Sequence, residues 1–355
     1  MLDWLACAAG GAGEEAVSVA RATGSDVVVA GTAGHVLDFD DTWLPGLVHL
    51  SAAAAPAALC VTREQGGTVR DAVAAYAEGF EWTAALAGAS HPALYERGWH
   101  PTAVCGTVGA AVAAAVALGL DREARRRAIG LAVLRAAGLQ AGFGTHGKAL
   151  QVGLAAAAGV DAARLAAAGA TAPGDPAVAF DVAYGGRWAE PSGDALAVHD
   201  NWIKAYPCCL QTHSSIEAAT QVDGVDGVTV VVHSVSRRAA AYDDVADGLQ
   251  AKFSIPYLVA YTSLHGPPVV SSFDGVGEEA RSLARTISVR TDDALRESEA
   301  RIGDVRVEAA LGSPWRPMDE AQLAGKVRSL AGDRLDGLLD DDARPAADLL
   351  AGAGL

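Results

Sequence analysis

The chain has 355 residues, 51% of them hydrophobic and only 6% aromatic, with a formal net charge of −16 at pH 7. Single cores rarely grow past roughly 250–300 residues, so two domains are expected. The acidic balance and the lack of any run of five basic residues argue against a nucleic-acid surface, and a chain this acidic must concentrate positive charge locally to hold an anion.

The opening, MLDWLACAAGGAGEEA, has no basic stretch ahead of its apolar run. It does not read as a secretion signal, and a cytoplasmic location is expected. From Leu2 to about Ala170, Ala/Leu/Val-rich windows broken by Gly or Pro predict packed helices over Ser25–Trp43, Val69–Ala87, Thr102–Leu120, Arg122–Gly138 and Leu150–Ala168. Thr102–Leu120 approaches membrane-spanning length but is rich in Ala and Gly, so it reads as a buried core helix with no membrane partner.

After Trp202 the texture changes. Gly227–Val235 and Thr286–Arg290 are β-branched and Gly303–Ala309 alternates polar with apolar, which predicts strands, while Ser214–Gln221 and Lys252–Ser263 predict helices between them. The tail from Asp319 returns to helix formers. The expected architecture is mainly α with an α+β second domain: residues 1–202 form a helical domain completed by 319–355, and 203–318 form the α+β lid.

Several side chains stand out from this apolar background. If Gly34–Ser51 (GHVLDFDDTWLPGLVHLS) continues a helix, His35, Asp38 and Thr42 share one face. The D-F-D-D string also mimics the Asp-rich strings of Mg²⁺-dependent prenyl transferases, but no second acidic string follows at suitable spacing, and no metal is expected. His100 precedes Pro101 and a long apolar helix, at a helix N-terminus that attracts anions. Lys148 lies in a Gly-punctuated turn entering an Ala-rich helix, where a buried ammonium needs an anionic partner. Lys204 lies where the texture shifts, a junction of the kind that forms small-molecule clefts. The five cysteines, Cys7, Cys60, Cys105, Cys208 and Cys209, include no C-x-x-C pair, and Cys208–Cys209 carry no signature of an activated thiol.

In order, HVLDFDDT, RGWHPTAVCGTVGAAVAAAVALGL, GTHGKALQVGLAAAAGVDAARLAAAGAT, IKAYPCCLQTHSSIEAA and AKFSIPYLVA resemble the successive signature blocks of the MmgE/PrpD family, over roughly residues 2–313. The resemblance implies a large helical domain with a smaller α+β lid, usually as a homodimer, acting without metal or organic cofactor. It implies a cleft lined by Asp38, Thr42, His49, His100, Lys148, Lys204 and Tyr257, with Cys209 beside them.

The blocks depart from the family pattern in places. His49 falls one residue late and is followed by Leu50 in place of proline. Ala149 and Gln151 replace a usual proline and histidine, and Cys209 stands where the decarboxylases have histidine. Both ends look shorter than is usual for the family. The function these features imply is cofactor-independent lyase chemistry on a small polycarboxylate, with dehydration favoured over decarboxylation. Lys148 and Lys204 would pair the carboxylates, His49 and His100 would exchange protons, Asp38 would orient an imidazole, and Thr42 and Tyr257 would position substrate oxygens. Epimerisation of a dicarboxylate and a noncatalytic binding relic are the alternatives.

Overall fold

A computed structural model describes residues 1–193 and 196–355. Its first half is built from α1 (Leu2–Gly11), α2 (Asp26–Val36), α3 (Ser51–Glu64), α4 (Val69–Ser90), α5 (Pro101–Ala117), α6 (Arg122–Val133) and α7 (Gly147–Ala167), joined by short turns. Side-chain caps fix several starts: Ser25 accepts the Val28 N–H at α2, Thr68 and Asp71 form a capping box at α4, and Asp121 caps α6.

Small residues let these helices approach closely. α5 is buried over most of its length between α4, α3 and α7. Gly31 of α2 meets Gly153 of α7 so closely that a Cβ on Gly31 would lie 2.8 Å from the Gly153 Cα, and a Cβ on Gly153 would collide with the Val28 carbonyl oxygen. This crossing brings the C-terminal end of α2 to the N-terminal end of α7, where His35 and Lys148 meet. Among the described residues, α7 is the helix long and apolar enough to cross a bilayer, yet 61% of that window is buried against other helices.

The second part contains α8 (Leu210–Ala219) and α9 (Ile255–His265) against a four-stranded mixed sheet in the order β2–β1–β3–β4. β1 (Thr229–Val232) runs parallel to β2 (Ser288–Thr291), with Thr229 opposite Ser288, and antiparallel to β3 (Ala300–Ile302), which pairs with β4 (Val305–Val307) as a hairpin. Val230, Val232, Ile302 and Val307 pack with Ile216, Leu258 and Ala280 in a core of their own. The tail helices α10 (Glu320–Ala331) and α11 (Ala347–Gly352) return to the first part, where Val327, Leu330 and Leu349 join the core around Trp4 and Leu5. A large helical part plus a small mixed sheet is the fold class the sequence implies.

The windows differ from the elements in instructive ways. The helix expected over Ser25–Trp43 stops at Val36, because Asp38 takes a left-handed φ of 53°, which Asp tolerates better than most residues. The one-face alignment of His35, Asp38 and Thr42 is therefore wrong: only His35 is helical. Ser51–Glu64 forms a helix although Pro56 interrupts its pattern, and β3 is too short to show in the sequence.

Candidate active site

The site is centred on the loop that follows α2. A helix C-terminus and a left-handed residue leave carbonyl oxygens without helical partners, and here buried lysines take them. Lys252 Nζ donates to the Leu37 carbonyl at 2.8 Å, Lys204 Nζ to that of Asp38 at 2.9 Å, and Lys326 Nζ to that of Phe39 at 2.8 Å. Lys326 is itself paired with buried Asp3 at 2.6 Å. The loop is thereby held from three separated segments, and its acidic side chains are fixed in place.

Asp38 is the hub. Its Oδ1 accepts from Lys204 at 2.7 Å and from Lys148 at 3.2 Å, with His49 Nε2 at 3.7 Å. Lys148 Nζ also lies 2.7 Å from His35 Nε2, whose Nδ1 is 2.8 Å from Asp40 Oδ2. A carboxylate on one side and an ammonium on the other set the tautomer: His35 donates from Nδ1 and accepts at Nε2. His49 Nδ1 lies 3.2 Å from the same Asp40 oxygen, so one carboxylate steers two imidazoles. His100, the N-cap of α5, stacks 5.9 Å from His35, and the edge of Phe143 packs at 5.0 Å. Its Nδ1 meets Gln151 Nε2 at 2.7 Å.

Burial and charge pull the titrations apart. Burial pushes the Asp38 carboxyl up, but Lys148 and Lys204, helped by His49, outweigh it and hold Asp38 well below the usual range. Asp40 is likewise held low against burial by His35 and His49. Burial lowers all three imidazoles, His49 to about 3, so they are neutral. Lys148 is lowered by burial against the pull of Asp38. Two carboxylates and two ammonium groups cancel, leaving a closed site with no net charge of its own.

A cavity of about 50 Å³ opens onto this network, lined by Asp38, Thr42, His49, His100, Lys148 and Cys209, with Leu47, Tyr95, Phe143 and Phe253 as apolar walls. Six residues expected from the sequence thus meet at one cavity, and two do not. Lys204 is buried, donates to both the carboxylate and the carbonyl of Asp38, and does not line the cavity. Tyr257 lies in the core of the second part, where its hydroxyl accepts the Gly277 N–H. Burial raises the Cys209 thiol to about 11, so it is a wall and not a nucleophile.

The family models for the MmgE/PrpD N-terminal and C-terminal domains match residues 24–186 and 206–344. The chain belongs to the MmgE/PrpD family. Among curated relatives, it is 32% identical to cis-aconitate decarboxylase of Homo sapiens over 55% of this chain and 43% of that protein. It is 28% identical to cis-aconitate decarboxylase of Mus musculus over 69% of the chain and 55% of the relative. The chain therefore spans about half the length of these MmgE/PrpD relatives. A third, cis-aconitate decarboxylase of Aspergillus terreus, is 24% identical over 93% of the chain.

At this cluster, Asp40, Gln151, Phe143 and Phe253 were not picked out from sequence as site residues, and His35 was noted only as sharing a helix face with Asp38. His35 and Asp40 flank Asp38 in the same short string, which is the signal that was available. Donor atoms of His35, Asp40 and His49 lie within 4.8 Å of one another. In the structure these atoms face one another, with His35 Nδ1 and His49 Nδ1 at 2.8 and 3.2 Å from Asp40 Oδ2.

Proposed function

We propose that this MmgE/PrpD chain is a lyase that removes a proton from a carbon next to a carboxylate of a small polycarboxylate, with dehydration as its overall reaction. The observation that carries this reading is the pair of buried polar atoms on cavity-lining residues without a hydrogen-bond partner among the described residues: Asp38 Oδ2 and Thr42 Oγ1. Such atoms are costly to leave unpaired unless a polar ligand or water completes them.

In this reading Lys148, the one lysine that both touches the cavity and contacts the hub, faces a substrate carboxylate. It offsets the charge that develops as the carbon–hydrogen bond breaks. His49 takes the proton at Nε2, with Asp40 behind its Nδ1, and becomes an imidazolium. It returns that proton to the departing β-hydroxyl, so that alkene and water leave and the imidazole is neutral again. A base lowered to about 3 is weak, but substrate carboxylates entering a site of zero net charge raise it. The Phe143 and Phe253 faces, with Lys148 Nζ 5.7 and 5.8 Å from their centroids, exclude water on that side.

Decarboxylation of a cis-aconitate-like substrate is the second reading, favoured by the three relatives, all cis-aconitate decarboxylases. Proton NMR in D₂O with EDTA, using 2-methylcitrate, citrate, cis-aconitate and malate, separates the two. Deuterium entry with alkene signals supports dehydration, and loss of a carboxyl carbon supports decarboxylation. No change of any substrate by the folded protein, at protein levels where Lys148→Ala serves as blank, would sink both.

A further inference from the structure

Gln151 sits one turn into α7 and reaches His100 across the loop that carries Leu139. The orientation of its amide is fixed by backbone groups whose roles cannot be exchanged. The Leu139 N–H donates to Gln151 Oε1 at 2.9 Å, and the Leu139 carbonyl accepts from Gln151 Nε2 at 3.2 Å. Turning the amide over would set donor against donor and acceptor against acceptor. The group facing His100 Nδ1 at 2.7 Å is therefore the NH₂, a donor, and Nδ1 has to accept. The proton of the neutral ring is then on Nε2, the nitrogen for which no partner exists among the described residues, on a ring that lines the cavity.

We infer that Gln151 is a positioning residue that locks His100 as the neutral Nε2–H tautomer, so that His100 presents a hydrogen-bond donor, not a proton-accepting base, to an oxygen of the bound ligand. It gives His100 a different part from the proton exchange with His49 that the sequence led us to expect. A neutral imidazole that gave up Nε2–H would become an imidazolate, so the group stabilises negative charge on a carboxylate or enolate oxygen without transferring a proton. The three site imidazoles thereby divide: His35 and His49 have Nδ1 toward a carboxylate, whereas His100 has Nδ1 toward an amide donor. Burial, the nearby Lys148 ammonium and the first turn of α5 all disfavour a second proton on His100.

The inference rests on the polycarboxylate reading only for the identity of the ligand, and its first test needs no substrate. In protein with ¹⁵N-labelled histidine rings, the resonance pair that is perturbed in both Gln151→Glu and Gln151→Met belongs to His100. In the parent protein it is expected to show an unprotonated Nδ1 and a protonated Nε2 from about pH 8 to about pH 6. A protonated Nδ1 over that range overturns the inference even if the enzyme turns over a polycarboxylate.

In Gln151→Glu the carboxylate should draw the proton to Nδ1 and strip Nε2 of its donor at neutral pH. With a substrate identified as above, kcat should fall about 10–100-fold at neutral pH and partly recover on acidification, when a second proton restores Nε2–H. A pH profile parallel to that of the parent would overturn the inference. Gln151→Met separates packing from tautomer: it should lower kcat without the acid recovery. An Nε2–H signal in a protein that turns over nothing supports the tautomer assignment while removing the polycarboxylate reading.

Discussion

Two clusters of ion pairs in this molecule have similar distances and different surroundings. One surrounds Asp38. The other lies on the second part, where Glu299 accepts from Arg301 and Arg306 at 2.7–3.0 Å, Arg306 also meets Glu308, and Arg316 pairs with Glu217 beside a groove of about 440 Å³. In the arginine cluster each guanidinium is about half exposed and has a carboxylate partner. In the lysine cluster the ammonium groups are buried, and the Asp38 carboxylate they share retains an unpaired oxygen. Chemistry is expected at the smaller, unfinished cluster, because satisfied surface pairs offer a ligand nothing that water does not already offer.

That contrast can be broken by substitution. The largest effect is expected for Lys148→Met and for Asp38→Asn, each losing about 10²–10⁴-fold in turnover while the protein stays folded, measured as initial rate against soluble, monodisperse protein. Asp40→Asn should come next, since it removes the negative charge that both His35 and His49 face and replaces one acceptor oxygen with a donor. A fall in kcat with little change in KM is the expected signature.

Gly153→Val should cost about 1–3 kcal/mol of stability, because its Cβ would push α7 away from α2 and separate Lys148 from His35. An unchanged unfolding midpoint would show that the crossing is more plastic than its backbone contacts suggest.

Acidification supplies a fourth test. His49 and His213 titrate at about 3 in the folded chain, lowered first by burial, and His35 and His100 are lowered too. Between about pH 6.5 and about pH 3 the unfolded chain binds more protons at these sites, so stability falls as pH falls through that window. Asp41, raised by burial and Asp40 to about 6, works the other way but is one group against four. A melting temperature that held or rose from pH 6.5 to pH 4 would contradict this.

The smallest effect is expected at Arg306→Gln, with turnover unchanged and a shift in unfolding midpoint below that of Gly153→Val. A large loss of activity there would place function in the arginine cluster and undo the comparison.

Much of the helical part was legible because Ala-rich windows between Gly and Pro are long enough to read, although α7 begins at Gly147, ahead of the expected Leu150, so that Lys148 lies in its first turn. Local signals could not show that Asp38 leaves the helix, because its left-handed turn depends on lysines more than 160 residues away that take the loop carbonyls. Lys204 was expected as a site lysine, but its pairing with Asp38 could not be read, since sequence shows that a cation is present and not which anion claims it. Gln151 was visible only as a departure from the family pattern. Its meaning comes from Leu139, a backbone neighbour twelve positions earlier that no side-chain motif reports.

The three lysines that hold the Leu37, Asp38 and Phe39 carbonyls stand 215, 166 and 287 positions away along the chain. Each is a loop closure that forms only when its own segment has docked. The acidic turn is thus a checkpoint on assembly: a partly folded chain can already have α2 and α7 packed and still lack an ordered Asp38. Activity should then appear as the last event of refolding, after the helical signal is complete, and proteolytic nicking of the tail near α10 should silence the site without touching a residue that lines it.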